Sequence, residues 1–180
     1  MLTSGNHSEP GGPHSPNAPE DSRHNDAVNW ERQILEKVGP RYVILGVGSR
    51  LRGDDAAGPM VAEKLSERGM KNCYDCGNVP ENYLGKIEKA KPTDIIFVDA
   101  AESGAEPGTI GFHGGESFDY QSMSTHSAGL SPLMDYLGES CPARCWVLSI
   151  QPKATEYGAE VSKPVRKAVE RIVSSHVWTD

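Results

Sequence analysis

The sequence predicts an α/β fold: a single three-layer domain in which a twisted, mostly parallel sheet of about five strands is flanked by helices. Three observations carry this. The stretch from Tyr42 to Leu65 runs from a short β-branched apolar segment through glycines and a tight polar turn into a helical pattern, the signature of a strand, turn and helix. Asp94 to Val98 and Trp146 to Ile150 are mainly apolar runs, as expected of strands covered on both faces. Strand-like and helical periodicities alternate along the chain without an internal repeat.

The 180 residues are 37% hydrophobic and 24% charged, enough for one continuous core. With 25 acids against 18 Lys and Arg, the formal net charge is -7. That balance argues against general nucleic-acid binding. No apolar run approaches the ~20 residues of a spanning helix, and no basic segment followed by an apolar one opens the chain. The expectation is a cytoplasmic monomer without membrane insertion. Residues 1–28 are rich in Pro, Gly, Ser, Asn and His and are read as a mobile tail, leaving 29–180 as the domain. His7, His14 and His24 fix no geometry there and are not read as a metal cluster.

Taken in order, Trp30 to Val38 is a short helix with Trp30, Ile34 and Val38 on one face, stopped by Gly39 and Pro40. After the first strand, Pro59 suits the first helical turn. Val61, Ala62 and Leu65 face the sheet, and Glu63, Lys64 and Glu67 face water. Asn72 to Tyr74 is a weak second strand, followed by the turn CGNVPEN and a helix through Tyr83, Leu84, Ile87 and Ala90. The strand Asp94 to Val98 ends before Asp99, and Thr109 to His113 is a short strand. Gly114 to Gly129 is a polar loop, Pro132 to Leu137 a helix, and Trp146 to Ile150 an inner strand. The last helix begins near Ser162 and turns Val165, Val169, Ile172 and His176 inward.

The first turn is not a nucleotide loop. Gly46 and Gly48 open a dinucleotide-type pattern, but the next glycine, Gly53, comes too late. Asp54 stands where a phosphate loop needs lysine, and a second acid follows, so a triphosphate meets repulsion. The glycines serve a tight, close-approaching turn instead. Asp54 and Asp55 admit two readings: one acid caps the following helix, and the other faces the crevice at the carboxyl ends of the strands. Spacing alone leaves open which does which.

Asp99, just past the IIFV run, forms either an Asx turn or the second carboxylate of a shared site. His126 supplies an imidazole to complete an N and O donor set for a divalent transition metal. His113 competes, but a position inside a short strand restricts its reach. Cys73 and Cys76, with Cys141 and Cys145, have spacings that suggest structural zinc. The preferred reading is buried free thiols.

GVGSRLRGDDAAGPMVAEKL, CGNVPEN, IIFVDA, STHSAGL and SIQPK occur in that order, and together they resemble the hydrogenase maturation endopeptidases, closest to the hydrogenase-3-type branch. The resemblance covers nearly all of residues 42–173. It implies an enzyme, labelled an aspartic endopeptidase, that removes the C-terminal extension of a nickel-iron hydrogenase large-subunit precursor once nickel is inserted. It also implies that Asp55, Asp99 and His126 contact the metal and act in catalysis. Nickel then arrives with the substrate, and no permanent organic cofactor is expected. Asp54, Glu81 and Asn82 are expected to support the pocket. Ser49 stands where Asn is frequent and Ala56 where Gly is frequent; the first retains a hydrogen-bonding group, and the second requires negative φ.

Two other functions use the same residues. A metal-dependent hydrolase of small amides or peptides would carry its own metal and need no nickel-loaded protein. A nonenzymatic assembly-binding protein would hold the precursor without cutting it.

Overall fold

The computed structural model describes residues 30–115 and 127–178, with 127–129 described in backbone only. The reading of 1–28 as a mobile tail therefore lies outside the described residues. A helix α1 over residues 30–37 precedes β1 (Tyr42–Val47). A 3-10 turn (Gly53–Ala56) leads directly into α2 (Ala57–Glu67). Then follow β2 (Cys73–Gly77), a second 3-10 turn (Pro80–Tyr83), α3 (Leu84–Ala90) and β3 (Asp94–Ala100). The chain continues through β4 (Ile110–Gly114), α4 (Ser127–Ser140), β5 (Arg144–Ile150) and α5 (Lys163–Ser174).

The sheet order is β2-β1-β3-β5-β4, parallel except for the edge strand β4, which runs antiparallel to β5. Side chains of a strand alternate between faces, and the two cores follow that rule. Ile44, Ile96, Val98, Leu148 and Ile150 pack with Trp30, Val61, Leu65, Val169 and Ile172 of α1, α2 and α5. Val43, Leu45, Ile95, Phe97 and Val147 pack on the other face with Ile87, Leu130, Leu133 and Leu137 of α3 and α4. Each such side chain contributes on the order of 1.5–3 kcal/mol by leaving water. The three predicted layers are present.

Several boundaries differ from the sequence reading. β2 starts and ends later than Asn72 to Tyr74 because its backbone continues to pair with β1, Gly46 beside Asp75 and Val47 beside Gly77. Asp75 and Gly77 are poor strand formers, which hides this from propensity. Asp99 lies within β3 rather than after it: the strand continues to Ala100, with Asp99 opposite Ser149 of β5. Ser127 to Gly129 belong to a helix, not to a polar loop, and Pro132 sits inside that helix. Burial of Leu130 together with Leu133 and Leu137 on one stripe outweighs the hydrogen bond that proline removes. His176 lies beyond α5 and is exposed; Val177 takes the inward position.

The amino end of β3 holds an anchor that the sequence reading missed. Asp94, fully buried, accepts hydrogen bonds from Trp146 Nε1 (2.8 Å), the Gly39 amide (3.0 Å) and Thr93 Oγ1 (2.9 Å), and pairs with Arg144 (2.9 Å). Burial alone would raise its pKa, but the hydrogen bonds from Trp146, Gly39, Arg144 and Thr93 together hold it below the ordinary value. A depressed folded-state pKa means that the carboxylate's stabilisation is complete above the unfolded value of about 3.9 and is lost as pH falls through the folded one. Asp94→Asn should thus lower stability by about 1.5–3 kcal/mol at pH 7. Urea titrations of both proteins should converge as the pH drops below about 4; a constant difference would mean that charge is not the source.

Candidate active site

β1 and β3 are parallel neighbours, with Gly46 beside Val98, so both deliver their carboxyl ends to one rim. The turn after β1 folds back over that rim because glycines leave it room. A Cβ on Gly48 would lie 1.9 Å from the Asp55 carbonyl oxygen, and one on Gly58 would lie 2.2 Å from that of Val98 and 2.3 Å from that of Val47. Any side chain there would force the turn and the start of α2 away from the sheet. Gly48 also has φ +133, a conformation rarely adopted by other residues. As a result the acid-bearing 3-10 turn packs directly against β3.

The two adjacent acids have separate environments, and neither side chain caps a helix. The capping reading is therefore corrected. Asp54 Oδ2 accepts the amides of Lys153 (2.7 Å) and Ala154 (3.1 Å), and its Oδ1 accepts that of Ser162 (2.6 Å). The Asp54 amide in turn donates to the Ala154 carbonyl at 2.9 Å. Asp54 thus fastens the loop between β5 and α5 to the turn after β1. The signal was the SIQPK segment, whose place beside GDD is set by β5 lying next to β3.

Asp55 points elsewhere: its Oδ2 accepts the Ser49 amide at 2.8 Å. Ser49 Oγ accepts the Leu51 amide at 3.3 Å, the local bond expected of serine in that turn. Ala56 has φ -72, so the alanine is unstrained. Asp54, Asp55 and Asp99 are all fully buried. Two carboxylates, Asp55 and Asp99, are thereby placed at the same end of neighbouring strands, an arrangement suited to receiving a divalent cation or to moving protons.

His126 lies outside the described residues; in sequence it immediately precedes α4. Among the described residues, no three His, Cys, Asp or Glu side chains gather as a metal-binding group. Glu81 and Asn82 sit exposed on the 3-10 turn after β2. Arg50 bridges Asp75 (2.8 Å) and Glu63 (3.1 Å), an exposed cluster that the sequence reading did not foresee. His113 Nε2 lies 3.2 Å from Ser149 Oγ, and burial lowers its pKa. It reaches Ser149 across Gly111, where a Cβ would meet the imidazole at 2.5 Å. Strand position thus steers His113 over Gly111 rather than simply keeping it from the rim.

The cysteines are unbridged. Cys73 packs in the core on one face of the sheet, while Cys76, Cys141 and Cys145 lie with the other. Burial pushes the Cys73, Cys76 and Cys145 thiols up to about 12.

Acids at the carboxyl ends of adjacent parallel strands, with helical layers on either face, define an α/β domain whose polar rim lies where open sheets of this kind bind ligands. Comparison with known proteins then specifies it. Residues 59–177 match the family model of the hydrogenase maturation proteases. The hydrogenase 3 maturation protease of Escherichia coli K12 is 34% identical over 133 residues, covering 72% of this chain and 85% of that one. A putative hydrogenase maturation protease of Methanocaldococcus jannaschii is 30% identical over 157 residues, covering 81% and 92%. Among solved structures, the [NiFe] hydrogenase maturation protease HycI of Thermococcus kodakarensis superposes with a TM-score of 0.70 at 34% identity, covering 78% of this chain and 94% of that one. This chain belongs to the hydrogenase maturation protease family, in its hydrogenase-3-type branch. Among the described residues no helix is long and apolar enough to cross a membrane.

Proposed function

We propose that this protein is an endopeptidase that removes the C-terminal extension of a nickel-iron hydrogenase large-subunit precursor after nickel has been inserted. The observation that carries this reading is the pair of fully buried acids, Asp55 and Asp99, held at the ends of β1 and β3. Carboxylate oxygens together with an imidazole nitrogen suit a divalent transition metal. A nickel-loaded precursor brings such a cation to them, with His126 as the third contact. Asp55, oriented by the Ser49 amide, and Asp99, fixed within β3, then read the loaded state from the protease side. With the metal centre docked, the scissile carbonyl is held near the same carboxylates, which take up or deliver the proton that peptide hydrolysis requires. Cleavage consumes one water and yields a new carboxyl end and a free amine.

The test is to mix purified protein with nickel-free and nickel-loaded precursor and weigh the released fragment by mass spectrometry. Cutting of the loaded form alone is expected. Equal cutting of both would remove nickel sensing, and activity on small amides without any precursor would favour a general metal-dependent hydrolase. Binding of the loaded form with no cutting, under conditions where a known processing enzyme works, would favour an assembly-binding role.

A further inference from the structure

The two acid-bearing segments share an anchor beyond β5. The register of β3 with β1 runs to Val98, whereas its register with β5 continues through Asp99 to Ala100. The Ala101 amide then donates to the Ile150 carbonyl at 3.0 Å, so the end of β3 that carries Asp99 is seated on β5. The Asp55 turn is fastened to the exit of the same strand. Asp54 accepts the amides of Lys153 and Ala154, and its own amide donates to the Ala154 carbonyl. Residues 151–154 thus link the two segments.

Gln151 is the end of this stretch that meets β3. It is 5% exposed, and every polar atom it carries is engaged. Its amide donates to the Thr109 carbonyl at 2.9 Å, and its carbonyl accepts the Gly108 amide at 2.8 Å. Oε1 accepts the Ser103 amide (2.7 Å) and hydroxyl (2.8 Å), while Nε2 donates to Glu102 Oε2 (2.7 Å) and to the Pro152 carbonyl (3.1 Å). A buried amide whose donors and acceptors are all matched specifies one arrangement of its neighbours. Because Glu102 and Ser103 follow closely on Asp99, this one side chain grips the exit of β3 near its base. Pro152, with φ set by its ring, stiffens the step from that grip to the amides that Asp54 holds.

We infer that Gln151 is a positioning residue of the protease: by tying the exit of β3 to the stretch that Asp54 holds, it sets the place of Asp99 against the Asp55 turn. This rests on the processing function proposed above and adds to it a residue that acts through others. Reacting geometry tolerates little displacement, since a shift of about 1 Å can cost ~10²-fold in rate.

Exchanging donor and acceptor isolates this role. Gln151→Glu puts a carboxylate oxygen where Nε2 now faces Glu102, so two like charges meet and the grip opens. Combining it with Glu102→Gln restores one donor and one acceptor with the partners reversed. Gln151→Glu should lower kcat for nickel-loaded precursor by about tenfold or more, with KM within about threefold of wild type, and the paired substitution should recover most of that loss. Glu102→Ala lies at an exposed position that cannot empty the core, and should lower kcat by about threefold even where the buried charge of Gln151→Glu prevents folding. Amide exchange, followed residue by residue by NMR on the protein alone, should quicken in both single variants at Ser103 and Gly108 and also at Lys153 and Ala154, the far end of the stretch. A lower melting temperature with kcat of the folded fraction unchanged, faster exchange confined to Ser103 and Gly108, or a paired variant no better than Gln151→Glu overturns the proposal. A wild-type protein that never cuts loaded precursor would instead sink the processing function, and exchange at Lys153 and Ala154 would still decide whether Gln151 couples the two segments.

Discussion

Asp99→Asn should reduce cleavage of nickel-loaded precursor by about 10²–10⁴-fold, the range associated with losing a positioned acid or base, while the protein remains folded. The substitution keeps the shape of a side chain that is fully buried in β3, while removing its charge and its capacity to take a proton and turning one acceptor oxygen into a donor amide. Asp55→Asn should behave alike, because a carboxamide oxygen can still accept the Ser49 amide now bound at 2.8 Å. His126→Ala should lose processing to a similar degree if its imidazole completes the metal contact. Single-turnover cleavage followed by mass spectrometry, with thermal melting alongside, decides the matter. Full processing by the Asp55 and Asp99 variants would show that the buried pair has no chemical role.

The opposite pattern is expected one residue earlier. Asp54→Ala should destabilise the fold by about 3–5 kcal/mol, since it removes a carboxylate that accepts three backbone amides in a fully buried setting. Lys153, Ala154 and Ser162 would be left with amides facing a cavity, and the loop before α5 would lose its fastening to the first turn. Denaturant unfolding measures this, and Asp54→Asn, which retains one acceptor oxygen, should lie between the two. A loss under ~1 kcal/mol would mean that the loop is held by other contacts. If any Asp54 variant remains folded, its residual cleavage should track how well the Asp55 turn keeps its place, so stability and activity should fall together. For Asp55 and Asp99 they should part.

That contrast shows how far the sequence could be read. The strand, turn and helix around the paired acids were legible because apolar runs, glycines and turn acids each have a local cause, and the close approaches of Gly48 and Gly58 confirm why glycine is required. The resemblance singled out Asp55, and the structure gives Asp54 and Asp55 distinct partners. Nothing local could assign Asp54, whose partners lie about a hundred residues away. The same holds for Asp94, anchored by groups from α1's exit, the residue before β3, and β5. Its acid at the start of an apolar strand looks like an ordinary boundary residue until β5 is placed beside β3. β2 and α4 were misjudged for a related reason: pairing with β1 and burial of Leu130 overrode poor local propensity.

The cysteines acquire a practical meaning from where the fold puts them. Thiolates, not thiols, react with maleimides and iodoacetamides. Cys73, Cys76 and Cys145 are buried or nearly so and have thiols raised to about 12, while Cys141 is buried as well. At neutral pH the wild-type chain should therefore react slowly with such reagents. A single cysteine introduced at an exposed position, such as Tyr157 at 76% exposure, would carry a fluorophore or spin label without first stripping the native sulfurs from the core. Approach of a partner to the carboxyl rim could then be timed optically, on a protein whose interior is left as folded.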